Sequence, residues 1–329
     1  MRVLCPPRPR ADGRSCYDLP KYVKVGHYFS RDALYSQSTF TVLTESMLLL
    51  LLLLHASSAA LETVTGNALT GQRVLVTGGG RGIGRAIAIA CAQEGASHVA
   101  LLAKSEGELQ EVADAICKAG AQALVRTVDI TEQTLVNEVI AGLAGTMGGI
   151  DVLINNAGNS CSKGLLHEQS TEEFKTLLEL NVVAMMGVTS SVLRHAMLPQ
   201  RAGRIINISS RAGKLGIALM GPYVASKFAV EGLTATLAEE LRAETPKILV
   251  NSLSPGMVDT RAFPKAPGRP GVRSAESVRD GLLAVLQSSR SGTYLHVDEY
   301  DAASEAGAPE RAFKPINEPT FDAGCMAKD

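Results

Sequence analysis

The sequence predicts an α/β fold in which a doubly wound sheet of about seven parallel strands carries helices on both faces. Short apolar runs alternate with segments of helical periodicity from residue 71 to residue 300, and such alternation favours parallel strands joined by helical crossovers. The first apolar run passes directly into a glycine-rich turn and then a helix. With 329 residues, of which 46% are hydrophobic and 20% charged, the chain can bury a sizeable core.

Each predicted strand is a short apolar run. The seven runs are Val74 to Val76, His98 to Leu102, Ala123 to Val128, Ile150 to Ile154, Arg204 to Ile208, Ile248 to Leu253 and Thr293 to Val297. Helices are predicted at Arg85 to Glu94, Glu106 to Ala119, Thr131 to Leu143, Ser170 to about Leu198, Tyr223 to Arg242 and around Leu282 to Leu286. Ser170 and Glu173 form a capping box at the start of the long fourth helix. The tail after Tyr300 is rich in Ala, Glu, Pro and Gly and is expected to lie loosely on the surface.

Charge and cysteine usage narrow the class of function. The formal net charge of −1 gives no electrostatic reason to expect a nucleic acid or an anionic membrane as partner. The six cysteines form no CxxC pair and no ligand spacing with histidine. A reducing compartment and the absence of a metal site are therefore expected.

Residues 1–70 differ from the rest and are expected to be a poorly ordered extension, followed by one domain at 71–300 and a tail at 301–329. Residues 2–31 carry seven Lys or Arg, and seven leucines follow Met47 at 48–54. This run is too short to span a bilayer, which needs about 20 residues, and lacks a basic segment directly before it. A disordered extension, an organelle-targeting leader and a membrane anchor, for example at the endoplasmic reticulum, all remain open. We expect a cytoplasmic protein.

The glycine-rich turn suits a dinucleotide. Glycines at Gly78, Gly82 and Gly84 lie between the first strand and the first helix. Glycine allows a sharp turn and close approach of a ligand to the backbone, and the free N–H groups of a helix start face a bound anion. The spacing Gly78-x-x-x-Gly82-x-Gly84 is not the commoner GxGxxG. A plain tight turn is the alternative for the turn taken alone.

Tyr223 and Lys227 have the spacing of an acid/base pair. Residues four apart share one face of a helix, and a nearby cation stabilises a phenolate and lowers the pKa of the tyrosine. Such a pair can transfer a proton to a carbonyl oxygen. Ser210 follows the fifth strand, where ligands bind in such sheets, and its hydroxyl could hydrogen-bond a carbonyl. A solvated surface pair and a turn serine are the alternatives.

These motifs, in this order and at these spacings, resemble the short-chain dehydrogenase/reductase family, which has a Rossmann-type fold. The resemblance runs from about Gly71 to Thr260. It rests on Thr77-Gly78-x-x-x-Gly82-x-Gly84, Asn155-Asn156-Ala157-Gly158, Asn181, Ser210, Tyr223-x-x-x-Lys227 and Pro255-Gly256. It implies an NAD(P)-dependent enzyme that interconverts a ketone, aldehyde or 3-ketoacyl group and an alcohol by hydride transfer.

The resemblance also implies roles for individual residues. Tyr223 would be the acid/base, Lys227 would lower its pKa and hold the nicotinamide ribose, Ser210 would orient the substrate carbonyl, and Asn181 would hold a water of the proton relay. The remaining cofactor contacts would come from Thr77, Gly78, Gly82, Ile83 and Gly84 in the turn, Asp129 and Ile130 beside adenine, Asn156, Ala157 and Gly158 near the ribose, and Pro255, Gly256, Val258 and Thr260 around the carboxamide.

The end of the second strand favours NADP(H) over NAD(H). NAD-binding turns usually have an acidic residue about 20 positions further on, which binds the ribose 2′-OH. Ala103 stands where NAD-preferring relatives carry Asp, and Lys104 and Ser105 follow it. Lys104 and Arg81, which lies inside the turn, could flank a 2′-phosphate. Two solvated surface cations are the alternative.

Two departures from the family pattern limit what the resemblance implies. The family commonly ends in a segment resembling TGxxxxVDGG, which often helps to form a tetramer, but this chain reads Gly292-Thr-Tyr-Leu-His-Val-Asp-Glu-Tyr300. A homo-oligomer is thus an open expectation. The stretch from Arg261 to Arg273, where a substrate lid is expected, is short and does not indicate the substrate. A redox-sensing module without turnover and a membrane-localised scaffold are competing functions, and the intact Asn181, Ser210, Tyr223 and Lys227 set disfavours the former.

Overall fold

A computed structural model of the chain describes residues 67–261, 263–264 and 269–317. The expectations for residues 1–66, including the leucine run, and for residues 318–329 lie outside the described residues. Residues 67–70, which the sequence assigns to the leader, form a turn. Leu69 in this turn is buried in the core, and its N–H donates to the Glu94 carbonyl oxygen at 2.9 Å. The folded domain therefore begins before Gly71.

Strands and helices alternate as the apolar runs predict, with ends that differ by a few residues. The strands are β1 (Arg73–Thr77), β2 (His98–Ala103), β3 (Gln122–Thr127), β4 (Val152–Asn155), β5 (Gly203–Ile208), β6 (Ile248–Ser254), β7 (Met257–Val258), β8 (Val272–Arg273), β9 (Thr293–His296) and β10 (Phe313–Pro315). The helices are α1 (Gly82–Gln93), α2 (Glu106–Lys118), α3 (Gln133–Met147), α4 (Thr171–Gln200), α5 (Gly221–Glu244), α6 (Arg279–Gln287) and α7 (Val297–Glu305).

The predicted doubly wound sheet is confirmed. Among the described residues, the main sheet has the order β10-β9-β6-β5-β4-β1-β2-β3, and β7 pairs with β8 separately. Seven strands of the main sheet are parallel, and β10 is antiparallel to β9 at the edge. Apolar residues of α1, α2 and α6 pack on one face, and those of α3, α4 and α5 pack on the other. Both faces of the central strands are buried, which explains why these strands are apolar throughout.

The strand order reverses between β1 and β4. From β1 the chain winds outward to β2 and β3, whereas from β4 it winds the other way through β5, β6 and β9. In open α/β sheets a crevice forms at the carboxyl ends of the strands on either side of such a reversal. The glycine turn follows β1 and the segment from Asn156 to Gly158 follows β4, so both predicted motifs lie at this crevice.

The long helix α4 begins where the capping box predicts. The Ser170 hydroxyl accepts a hydrogen bond from the Glu173 N–H at 3.3 Å. By length and composition α4 is apolar enough to cross a membrane, but half of its most apolar window is buried inside the domain. Because the central helices of folded domains have the same composition, this helix gives only weak support for a membrane span.

The chain after Tyr300 is not loose as far as residue 317. Helix α7 continues to Glu305, and β10 then adds to the sheet beside β9. Phe313 of β10 is buried in the same core cluster as β1, and the Arg290 guanidinium lies 5.2 Å from its ring centroid. The prediction of a loose tail was therefore wrong as far as residue 317. Composition indicates only how polar this segment is, whereas its position depends on the burial of Phe313 and on the free edge of β9, with which β10 pairs.

Candidate active site

The glycine turn forms a cradle that side chains would fill. Gly78 has a φ of +63° and Gly82 a φ of +54°, conformations that glycine adopts at no steric cost. A Cβ atom at Gly84 would lie 2.2 Å from the Gly78 carbonyl oxygen, and one at Gly78 would lie 3.0 Å from the Ala157 Cα atom. Only glycine permits this approach of turn, helix and β4 segment.

The turn is held against the end of β4 by Thr77 and Asn156. The Thr77 hydroxyl accepts hydrogen bonds from the N–H groups of Asn156 and Ala157 at 3.0 and 3.1 Å. The Asn156 side-chain amide donates to the carbonyl oxygens of Thr77 and Gly78 at 3.0 and 3.1 Å. These bonds leave the start of α1 facing the crevice. The bare backbone of the turn and the free N–H groups of this helix start suit a dinucleotide pyrophosphate.

The two cations predicted to bind a 2′-phosphate are each paired with a carboxylate. Lys104 Nζ lies 2.5 Å from Asp129 Oδ2. Arg81 Nη1 lies 3.5 Å from Glu108 Oε1, which also lies 3.3 Å from Arg261 Nη1. All of these side chains are partly exposed, so a bound anion can compete with the carboxylates. Ser105 precedes α2 without capping it, and Ile130 is buried in the core.

Tyr223 and Ser210 meet at the carboxyl end of the sheet. The Tyr223 phenol is 8% exposed and is hydrogen-bonded to the Ser210 hydroxyl. Ser210 Oγ also accepts the Ala212 N–H at 3.2 Å, which holds the serine in place. Burial raises the pKa of Tyr223 to about 12, and the hydrogen bond with Ser210 opposes this shift. The tyrosine is therefore a neutral phenol near pH 7, a form that can donate a proton.

Lys227 lies one helical turn beyond Tyr223 and is also buried. Its Nζ atom donates to the Ile208 carbonyl oxygen at 2.8 Å and lies 5.7 Å from the centroid of the Tyr223 ring. Burial lowers the pKa of Lys227 to about 8, and the carboxylate of Glu231 opposes this shift. The pair thus shares one helix face, as its spacing predicts. In this structure, however, burial sets the raised pKa of Tyr223, and the group that lowers it is Ser210 rather than the Lys227 cation.

Asn181 lies on a π-helical turn of α4, Glu179–Ala184, and is 2% exposed. Its side-chain oxygen accepts the Asn159 N–H at 2.9 Å. Its amide nitrogen donates to the Asn159 carbonyl oxygen at 2.9 Å and to the Ser226 hydroxyl at 3.1 Å. Asn181 therefore joins α4, the segment after β4 and the helix that carries Tyr223. A Cβ at Gly158 would lie 3.0 Å from its oxygen, so Gly158 provides the space for this link.

The segment after β6 reaches both the glycine turn and Tyr223. Pro255 and Val258 are buried, and Gly256 has a φ of +80°. The Thr260 methyl group would lie 3.2 Å from a Cβ at Gly82. The ring of Phe263 meets the Tyr223 ring edge to face, with 5.4 Å between centroids. This segment therefore links the glycine turn to Tyr223.

Three neighbours of the site were missed from the sequence. Glu231 lies four residues beyond Lys227 on the same helix, so the spacing that pairs Tyr223 with Lys227 could have identified it. Glu108 and Phe263 reach the site only through tertiary packing, and no local pattern indicates them. The predicted catalytic residues Ser210, Tyr223 and Lys227 do come together, and Asn181 lies behind them.

The comparisons with known proteins agree with this geometry. The short chain dehydrogenase family matches residues 72–268. A hydroxynaphthalene reductase-like protein of Metarhizium robertsii is 36% identical over 234 residues, covering 69% of this chain and 85% of that protein. An NADPH-dependent pterin aldehyde reductase of Arabidopsis thaliana is 33% identical over 192 residues, covering 57% of this chain and 76% of that protein.

A solved structure agrees in fold. An NAD⁺-bound xylitol dehydrogenase superposes with a TM-score of 0.62 at 28% identity, covering 69% of this chain and 98% of that chain. Residues 72–268, which the short chain dehydrogenase family matches, contain the glycine turn, Ser210, Tyr223 and Lys227. The chain therefore belongs to the short-chain dehydrogenase/reductase family and is an NAD(P)-dependent oxidoreductase that acts on carbonyl or CH–OH groups.

Proposed function

We propose that this protein is an NADP(H)-dependent oxidoreductase that interconverts a ketone, aldehyde or 3-ketoacyl group and the corresponding alcohol, with Tyr223 as the acid/base. The observation that carries the proposal is the cluster in which the half-buried Ser210 meets the buried Tyr223 and Lys227. A phenol, its hydroxyl partner and an amine are held together where little water can enter. Polar groups of this kind are functional candidates because burying them is costly.

In the proposed reaction each of these residues has one step. A nicotinamide cofactor held by the glycine turn would supply the hydride for carbonyl reduction and would accept it for alcohol oxidation. The Ser210 hydroxyl donates a hydrogen bond to the carbonyl oxygen, and the Tyr223 phenol gives that oxygen its proton. The resulting phenolate is stabilised by the Lys227 ammonium, which the Ile208 carbonyl oxygen orients. In the oxidative direction the phenolate takes the proton back, so the charges balance in both directions.

Tyr223→Phe should lower kcat by about 10²–10⁴-fold, because the proton donor is lost while the ring still packs on Phe263. Binding of NADPH, followed by its fluorescence, should persist. Steady-state turnover of ketones, aldehydes and 3-ketoacyl thioesters provides the measurement. A variant with more than half the wild-type rate would remove Tyr223 from the mechanism. A wild-type protein that binds NADPH but turns over none of these compounds would favour a redox-sensing module instead.

Glu231→Gln should move the alkaline limb of the kcat/KM profile for carbonyl reduction to lower pH. The Glu231 carboxylate raises the pKa of Lys227, which burial lowers to about 8. Without that carboxylate the ammonium deprotonates at lower pH, and the phenolate loses its cation. Profiles between about pH 6 and pH 10 test this expectation. Glu239→Gln, an exposed change on the same helix, is the control, and an equal shift in both variants would contradict the assignment.

The preference for NADP(H) rests on the charges at the end of β2. Ala103 offers no carboxylate to a ribose 2′-OH, and Arg81 and Lys104 lie on either side of α2's start. Glu108 and Asp129 hold these cations in place, and a 2′-phosphate carries more charge than either carboxylate. When NADP(H) binds, Arg81 and Lys104 therefore exchange their carboxylate partners for the 2′-phosphate, to which they bind more strongly. The NADPH-dependent relative supports the proposal, and the NAD⁺-bound structure is the reason to test it.

Arg81→Ala and Lys104→Ala should each lower kcat/KM for NADPH roughly tenfold to a hundredfold and change NADH kinetics little, because a hydrogen bond to a charged group contributes about 1.5–3 kcal/mol. Ala103→Asp should reverse the preference, because a carboxylate repels the phosphate and accepts from the free ribose. Arg85→Ala, an exposed change on α1, is the control. Equal use of NADH and NADPH by the wild type would refute the assignment.

We also propose a cytoplasmic location and a homo-oligomeric state. The leucine run at 48–54 supports the location, because it is shorter than a bilayer span and has no basic segment directly before it. Exposed apolar residues on α4 and α5, namely Val183, Met186 and Phe228, support a contact between copies. Cell fractionation and sedimentation of the full-length protein test both points. Recovery with membranes or in an organelle would contradict the location, and a monomeric mass would contradict the oligomer.

A further inference from the structure

Exposed apolar side chains are concentrated on two loops of the active-site edge. Among the described residues, ten large hydrophobic side chains are exposed, and five of them lie on the loops at 159–170 and 209–220. These five are Leu165, Leu166, Leu215, Ile217 and Leu219. The first loop follows β4 and the second follows β5, so both leave the sheet beside the crevice.

Both loops are anchored on the acid/base tyrosine. Cys161 of the first loop, and Ala212 and Met220 of the second, pack in one apolar cluster with Tyr223. The Gly164 N–H donates to the Leu219 carbonyl oxygen at 3.2 Å, which joins the loops to each other. Phe263 covers another side of the same ring. The exposed leucines therefore continue an apolar wall that begins at the reacting phenol.

Leu219 has a backbone conformation that leucine rarely adopts. Its φ is +67°, in the left-handed region that favours glycine. Leucine there is strained, because its Cβ atom crowds the backbone, and its side chain is 45% exposed rather than buried. The residue gains neither a relaxed backbone nor a packed side chain, and strain of this kind persists mainly at functional positions.

The ammonium group of Lys214 in the second loop does not compete for this surface. The Lys214 ammonium lies 3.3 Å from the buried Glu231 carboxylate and 4.9 Å from the Tyr294 ring centroid. Lys214 is thus held toward the interior of the domain. The residues that follow it, Leu215, Ile217 and Leu219, expose apolar side chains at the surface.

We infer that the two loops bind the non-reacting part of the substrate, and that this part is an extended apolar group. The inference rests on the proposed carbonyl chemistry and specifies its substrate class: carbonyl compounds with a hydrocarbon chain of several carbons, in preference to short or highly polar ones. Leu219 is a specificity-determining residue in this arrangement. Contact with the chain covers its exposed side chain and offsets its backbone strain.

A series of methyl ketones from butan-2-one to decan-2-one tests the inference. In the wild type, kcat/KM should rise about three- to fourfold for each added methylene until the wall is covered, as expected for burial of hydrocarbon. Leu219→Ser and Leu215→Ser should flatten this rise, lowering kcat/KM more for decan-2-one than for butan-2-one. Leu135→Ser changes a leucine on α3 that is also 45% exposed, and it should not alter the rise.

Leu219→Gly separates substrate contact from a structural role. Glycine accepts the positive φ, so the midpoint of thermal unfolding should stay the same or increase, while selectivity for decan-2-one over butan-2-one falls. A lower midpoint with unchanged selectivity would overturn the role of Leu219. A changed sedimentation mass with unchanged selectivity would assign the surface to a second copy of the chain and also overturn it.

Calorimetric binding of decan-2-ol distinguishes this inference from the proposed function. Turnover of butan-2-one without any chain-length dependence would overturn the apolar site and leave carbonyl reduction standing. Absence of turnover with every carbonyl would refute the proposed function. In that case, binding of decan-2-ol that Leu219→Ser weakens and Leu135→Ser does not would still support the apolar site, and absence of such binding would overturn it.

Discussion

The hydrogen bonds between Thr77 and Asn156 hold the turn after β1 against the end of β4, and the rest of the site depends on them. They satisfy backbone groups at the point where the winding of the sheet reverses. Because this junction is tight, Gly78 and Gly84 have no room for a side chain. The same tightness leaves bare backbone and a helix start facing the crevice. The bare backbone that suits a cofactor and the close contact between β1 and β4 thus both follow from the tight packing at this junction.

Burial acts on the two central titratable groups in opposite directions. It raises the pKa of Tyr223 to about 12 and lowers the pKa of Lys227 to about 8, because an apolar environment disfavours charge on either group. Ser210 opposes the first shift and Glu231 opposes the second. The site can therefore hold a phenol ready to donate a proton beside a cation ready to stabilise the product phenolate. This balance depends on residues from the end of one strand, β5, and from one helix, α5.

The groups along the crevice are divided by chemical type. Partly exposed ion pairs of Arg81 and Lys104 lie at one end, buried polar groups lie at the centre, and exposed apolar side chains lie around the outlet beyond Tyr223. The segment after β6 connects these regions, because Thr260 contacts the glycine turn and Phe263 contacts the Tyr223 ring. One short segment therefore contacts both the glycine turn and the phenol ring of Tyr223.

The sequence by itself determined the parallel sheet, the glycine turn, the Ser170 cap and the shared face of Tyr223 and Lys227. Each follows from local spacing: apolar runs define strands, glycine permits the turn, and a four-residue interval defines a helix face. Only the tertiary structure decided that Glu108 joins Arg81 to Arg261, that Phe263 covers Tyr223 and that Phe313 extends the sheet beyond Tyr300. These contacts join residues far apart in the chain. Their free energy depends on burial and on which groups meet, and no local interval in the sequence carries that information.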